Sequence, residues 1–134
     1  MRLLPAALCL AALPALAAMA ETPPISPEAF DALSQGKTLS YAIDGKVYGT
    51  EVYKPGHKVI FAFTDEECRE GSWYARGNEV CFIYEDPNDP QCWLYFQRGD
   101  GLYAQFTADG PDSPLSQVEE SSEPLACMGP KIGA

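Results

Sequence analysis

Glu79-Val-Cys-Phe-Ile-Tyr84, a turn running from Glu85 through Pro87-Asn-Asp-Pro90, and then Gln91-Cys-Trp-Leu-Tyr-Phe96: this stretch decides the fold. Both runs are dominated by aromatic and β-branched residues and are bounded by turn formers, the signature of two antiparallel strands joined in a hairpin. Cys81 and Cys92 are equidistant from the centre of the turn. In such a hairpin they fall opposite one another, with Cβ atoms about 4.5 to 5.5 Å apart, within reach of a disulfide. Period-two alternation puts Tyr84 on a face with Val80 and Phe82, and gives Trp93 and Tyr95 a face of their own, away from Cys92, Leu94 and Phe96.

The pattern continues on both sides of this hairpin. Thr38–Ile43 meets Val47–Tyr53 across Asp44-Gly45, a strong short-hairpin signal, and Lys54-Pro-Gly-His57 turns into Val59–Thr64. Asp65–Gly71 is a longer acidic connection, followed by Ser72–Ala75, the Arg76-Gly77-Asn78 turn, and the central pair. Arg98-Gly-Asp-Gly101 leads to a last strand over Leu102–Thr107. About seven short strands with tight turns predict a mainly β protein, an antiparallel meander closed into a small barrel or stacked as a sandwich. The short connections favour the barrel, because a Greek key needs a long crossing.

One short helix precedes the strands. Ser26 suits the N-cap, Pro27 the first helical position and Gly36 the stop, while Ile25 and Phe30 stand at the two positions of a hydrophobic staple. So short a helix needs a partner, so it packs on the sheet or plugs one end of it. Residues 21–108 thus form one domain. Residues 109–134, rich in Pro, Ser, Gly and Glu, read as an acidic tail with too little apolar surface to offset ordering entropy.

At the other end, Met1-Arg2, the apolar run Leu3–Leu16 and Ala18-Met-Ala20 compose a secretory leader over residues 1–20. The run, broken by Pro5 and Pro14, is too short for a hydrocarbon core of about 30 Å. A periplasmic or secreted protein is expected, with no membrane segment after cleavage. Without the leader, eight basic residues face nineteen acidic ones, a balance of −11. Such a surface repels nucleic acid and anionic membranes, and it attracts cations.

Four cysteines lie beyond residue 20. In an exported chain they form a disulfide framework, for which four cysteines allow three connectivities. The hairpin pairs Cys81 with Cys92, which leaves Cys68 for Cys127. A zinc site has no CxxC pair to build on, and His57 is the only histidine.

Catalytic signatures are missing. His57 follows Pro-Gly in a turn, and no serine carries a nucleophile motif. Asp65, Glu66, Glu67, Glu70, Glu85, Asp86 and Asp89 offer carboxylates, but they cluster in turns, where acidic residues are common. Glu85, Asp86 and Asp89 do not match the spaced ligand loop of an EF-hand. No enzyme activity, cofactor or metal is expected. The aromatic residues Trp73, Tyr84, Trp93 and Tyr95 are the candidate binding surface, against the ordinary role of such residues as strand formers over a thin core.

The succession Gly36-Lys-Thr-Leu, Tyr48-Gly49 with Tyr53-Lys-Pro-Gly56, Gly71-Ser-Trp-Tyr with Gly77-Asn-Glu-Val-Cys-Phe, and Gln91-Cys-Trp resembles a family of small exported bacterial proteins of unknown function. The likeness covers roughly Gly36 to Phe106 and implies a calycin-like small β-barrel with a Cys81–Cys92 disulfide. Cys68, Cys127 and the acidic tail lie outside it.

Three functional expectations follow from these residues. The first is a non-enzymatic binding or accessory module that holds a small apolar ligand. The second is an acidic interaction module for a cationic protein, such as an inhibitor of a cell-wall hydrolase. The third is a carboxylate-dependent hydrolase.

Overall fold

The computed structural model describes residues 22–127; the expected leader, residues 1–20, lies outside them. Among the described residues one α-helix, α1 (Pro27–Ser34), is followed by β1 (Thr38–Ile43), β2 (Lys46–Lys54), β3 (Lys58–Phe63), β4 (Arg69–Arg76), β5 (Glu79–Ile83), β6 (Gln91–Arg98), β7 (Gly101–Phe106) and β8 (Leu115–Glu120), with a 3-10 turn at Pro55–His57 between β2 and β3. Each strand pairs antiparallel with its neighbour in sequence, and β8 returns to pair with β1, closing the barrel. The closed barrel, rather than a sandwich, removes every exposed sheet edge.

The meander has eight strands, not about seven, and the additional one falls inside the expected tail. Leu115-Ser-Gln-Val-Glu-Glu is polar, so it carries little strand signal. In a barrel only the inward face must be compatible with the core. On β8 that face is Ser116 and Val118, both buried, with the Ser116 hydroxyl 2.7 Å from the Tyr48 hydroxyl. Gln105 on β7 steadies the loop between them, its side-chain amide donating to the carbonyls of Pro111 and Ser113. Pairing with both β1 and β7 supplies the order that composition alone does not.

The inward residues stack into a core of Leu39, Tyr41, Tyr53, Val59, Trp73, Val80, Phe82, Tyr95, Ala104 and Val118 around Phe30. Helix α1 is capped as its sequence predicts, the Ser26 hydroxyl accepting from Ala29 N–H at 3.1 Å. Its Phe30 is fully buried, stacked on Tyr95 with ring centroids 4.1 Å apart and edge-on to Tyr53 and Trp73. Ile25 N–H donates to the Tyr95 carbonyl and Gly36 N–H to that of Tyr53, fixing the helix across one end of the barrel, here the lower end. The opposite, upper end is framed by the β1–β2, β3–β4, β5–β6 and β7–β8 connections.

Both disulfides form as expected, Cys81–Cys92 and Cys68–Cys127. Cys81 and Cys92 are direct cross-strand partners between the pairs Val80–Trp93 and Phe82–Gln91. Since those pairs point inward, the bond lies on the outer wall and leaves the interior free. Cys68–Cys127 brings the segment beyond β8 back over the outward residues Ile60 and Ala62 of β3, where Val52 and Leu125 complete a second, smaller core.

Candidate functional site: a plugged barrel with an open aromatic cavity

Above the plug, the barrel interior does not fill. A cavity of about 330 Å³ opens at the upper end, lined by aromatic residues from β1, β2, β3, β5 and β6. Its volume lies at the lower bound of ligand pockets, about 300 Å³. At the mouth stand Glu85, Asp86, Asp89 and Arg69.

Two backbone features shape the cavity. The β1–β2 register slips between Tyr41 and Ala42, so that Tyr41 pairs with Gly49 and Ala42 with Val47, leaving Tyr48 as an extra residue. This bulge turns Tyr48 toward the interior beside inward-facing Gly49, where simple alternation would send it outward. On β4, Gly71 faces inward opposite Val59. A Cβ there would lie 2.7 Å from the Tyr84 ring and 2.5 Å from the Ile83 carbonyl. Glycine thus allows Tyr84 to lie flat against β4 and aim its hydroxyl across the barrel.

That hydroxyl donates to the carboxylate of Glu51, a β2 residue only 2% exposed. Tyr53 also hydrogen-bonds to Glu51. The Tyr53 hydroxyl meets that of Tyr41, which in turn lies 2.8 Å from the Tyr95 hydroxyl. The chain Tyr84–Glu51–Tyr53–Tyr41–Tyr95 is a polar belt inside the barrel, between the Phe30 plug and the cavity. Every member has a partner, as buried polar groups require. Burial dominates the acid–base state of the belt. Desolvation raises Glu51 from the ordinary 4.5 to about 7, against the lowering effect of the Tyr53 and Tyr84 hydroxyls. Desolvation likewise holds Tyr41, Tyr53, Tyr84 and Tyr95 above the usual phenol value, with the Glu51 charge adding to the rise.

The mouth is exposed and charged. Arg69 forms a two-pronged pair with Glu85 (Nε–Oε1 2.9 Å) and lies over the Tyr84 ring, 5.1 Å from its centroid. The Arg69 guanidinium lowers the Glu85 carboxyl below its usual range. Asp86 orders its own loop by accepting from Asn88 N–H at 2.9 Å.

Of the aromatic residues singled out in the sequence, Tyr84, Trp93 and Tyr95 line the cavity. Trp73 is separated from them: it sits at the lower end, 5% exposed, beneath Phe30 and stacked face to face with His57 at 3.6 Å. The four therefore form no single surface, and Tyr95 and Trp73 are interior residues. His57, in its turn, approaches Asp31 of α1 at 3.8 Å. Glu79 comes near the Cys81 and Cys92 sulfurs, but both are tied in their disulfide and offer no thiolate to a metal.

Sequence reasoning passed over Glu51, Tyr41, Tyr48 and Phe61. The available signal was Glu51 itself, which alternation places on one face with Tyr53 and Gly49. A carboxylate sharing a face with core aromatics marks a buried charge, provided that face is known to point inward. No family model, no curated protein and no solved structure matches the chain.

Proposed function

We propose that this protein is a non-enzymatic binding module that carries a small, largely apolar molecule in the upper cavity of its barrel. The observation behind this reading is the asymmetry of the barrel ends: Phe30 plugs one, and the other opens onto aromatic walls. An eight-stranded barrel is just wide enough either to fill with its own side chains or to hold one small ligand. The two disulfides favour an oxidising compartment, periplasmic or extracellular. Among the described residues no helix is long and apolar enough to cross a membrane.

Titration with the neutral fluorophore N-phenylnaphthylamine tests this reading. Saturable enhancement that is lost when Gln91, on the cavity wall, is replaced by Trp is the expected result. Enhancement unchanged in Gln91→Trp, or none in the native protein, refutes it.

A second reading rests on the upper rim, where Asp65, Glu66, Glu67, Glu85, Asp86 and Asp89 are gathered by the β3–β4 and β5–β6 connections. An acidic rim suits a cationic protein partner. Affinity for such a partner falls steeply with salt, because exposed charges are screened over about 8 Å at physiological ionic strength, whereas binding in the apolar cavity does not.

A further inference from the structure

The Glu51 carboxylate lines the cavity and is 2% exposed. It is held by the phenols of Tyr53 and Tyr84, and the ion pairs His57–Asp31, Arg69–Glu85 and Arg76–Glu79 engage other carboxylates. A buried carboxylate without a counter-ion is costly, and one lining an open cavity can receive its counter-ion from a ligand. The walls suit the same guest. Tyr41, Tyr48 and Trp93 line the cavity with aromatic rings, whose π-systems attract an ammonium group that has lost its water, and Phe61 and Phe82 offer apolar surface for the rest of the molecule. At the entrance Glu85, Asp86 and Asp89 outnumber Arg69, itself paired with Glu85, so an approaching cation is drawn in and an anion is turned away.

We infer that the cavity binds a protonated organic amine with an aromatic or aliphatic body, its ammonium group pairing with Glu51 beneath the aromatic walls. This rests on the binding-module reading and names the ligand class. The groups facing Glu51 are Tyr53 from its own strand, Tyr41 from β1, Tyr95 from β6 and Tyr84 from the end of β5, with Tyr48 beyond; all are phenols held above their ordinary value and hence neutral at working pH. Ammonium binding thus requires the ionised form of Glu51 and draws its proton off.

The test compares tryptamine with tryptophol, which has the same indole and chain but ends in a neutral hydroxyl, by calorimetric titration at pH 8. Tryptamine is expected to bind at least about tenfold tighter, a difference of about 1.4 kcal/mol. Its affinity falls as pH drops below about 7, approaching about tenfold per pH unit, while that of tryptophol does not. In Glu51→Gln, nearly the same size and still able to accept from Tyr84, the ratio of the two affinities collapses toward one. Tryptamine binding no tighter than tryptophol in the native protein, including binding of neither, overturns the amine assignment. A native preference that persists undiminished in Glu51→Gln overturns it as well. The naphthylamine titration separates the two failures: with that probe still bound and excluded by Gln91→Trp, the cavity reading survives the loss of the amine assignment.

Discussion

Glu51 occupies the inward face of β2 between Gly49 and Tyr53, where an apolar residue would be the simple choice for packing. Its folded-state value near 7 lies above the ordinary 4.5, so burial favours the protonated side chain. The contribution of this group to stability is therefore complete below about pH 4.5 and is lost as pH rises to about 7. A shift of this size corresponds to up to about 3 kcal/mol. Glu51→Gln, which removes the charge and keeps an acceptor for Tyr84, is expected to raise the melting temperature clearly at pH 8 and little at pH 4. An equal shift at both pH values would contradict a buried, titrating carboxylate. At this scale the sequence is only partly legible. The aromatic positions Tyr84, Trp93 and Tyr95 stand out because strands favour such residues, but alternation alone does not tell which of two faces is the inside. Tyr48 is harder still: a bulge reverses its face, and a bulge is a property of the pairing of two strands rather than of either one.

Among the elements, α1 and β8 contrast in how plainly they are written. The helix is legible because its signals are local: a serine cap, a proline at the first position and a glycine in the left-handed region at φ 79°. Its plug is a single side chain. Phe30→Ala is expected to cost about 3 to 5 kcal/mol in a denaturant titration, since a fully buried ring against Tyr53, Trp73 and Tyr95 leaves a void that the rigid barrel end cannot collapse. A cost below about 1 kcal/mol would mean that the helix is not part of the cooperative unit. Strand β8 is illegible for the opposite reason. Its ordering comes from two flanking strands, one of them distant in sequence, and its inward residues, Ser116 and Val118, are small enough that composition reads as tail. The β-meander was readable because its turns are explicit, and its short connections favoured a barrel; the strand that completes the closure was not, because nothing local encodes its pairing.

For the whole molecule, two disulfides act on different cores. The Cys81–Cys92 bond closes a short loop inside one hairpin, whereas Cys68–Cys127 spans a sequence separation of 59 and holds the segment beyond β8 over β3. In the chain-entropy model the first contributes about 3 kcal/mol and the second about 4. Replacing Cys68 and Cys127 together with Ala is expected to lower stability by about that larger amount. Amide exchange in the variant should accelerate selectively around Leu125, Ile60 and Ala62, with the barrel interior still protected. Uniform acceleration across all eight strands would instead make the clip indispensable to the barrel. The order of the strands has a kinetic consequence. Seven of the eight pairings join sequence neighbours and can form as soon as each hairpin exists, whereas β1 must wait for β8. The open sheet is thus the natural precursor of the barrel, and the seam between β1 and β8 is zipped last. Substitutions there, such as Val118→Ala, should speed unfolding and leave the refolding rate nearly unchanged, placing the seam at low φ in a chevron comparison.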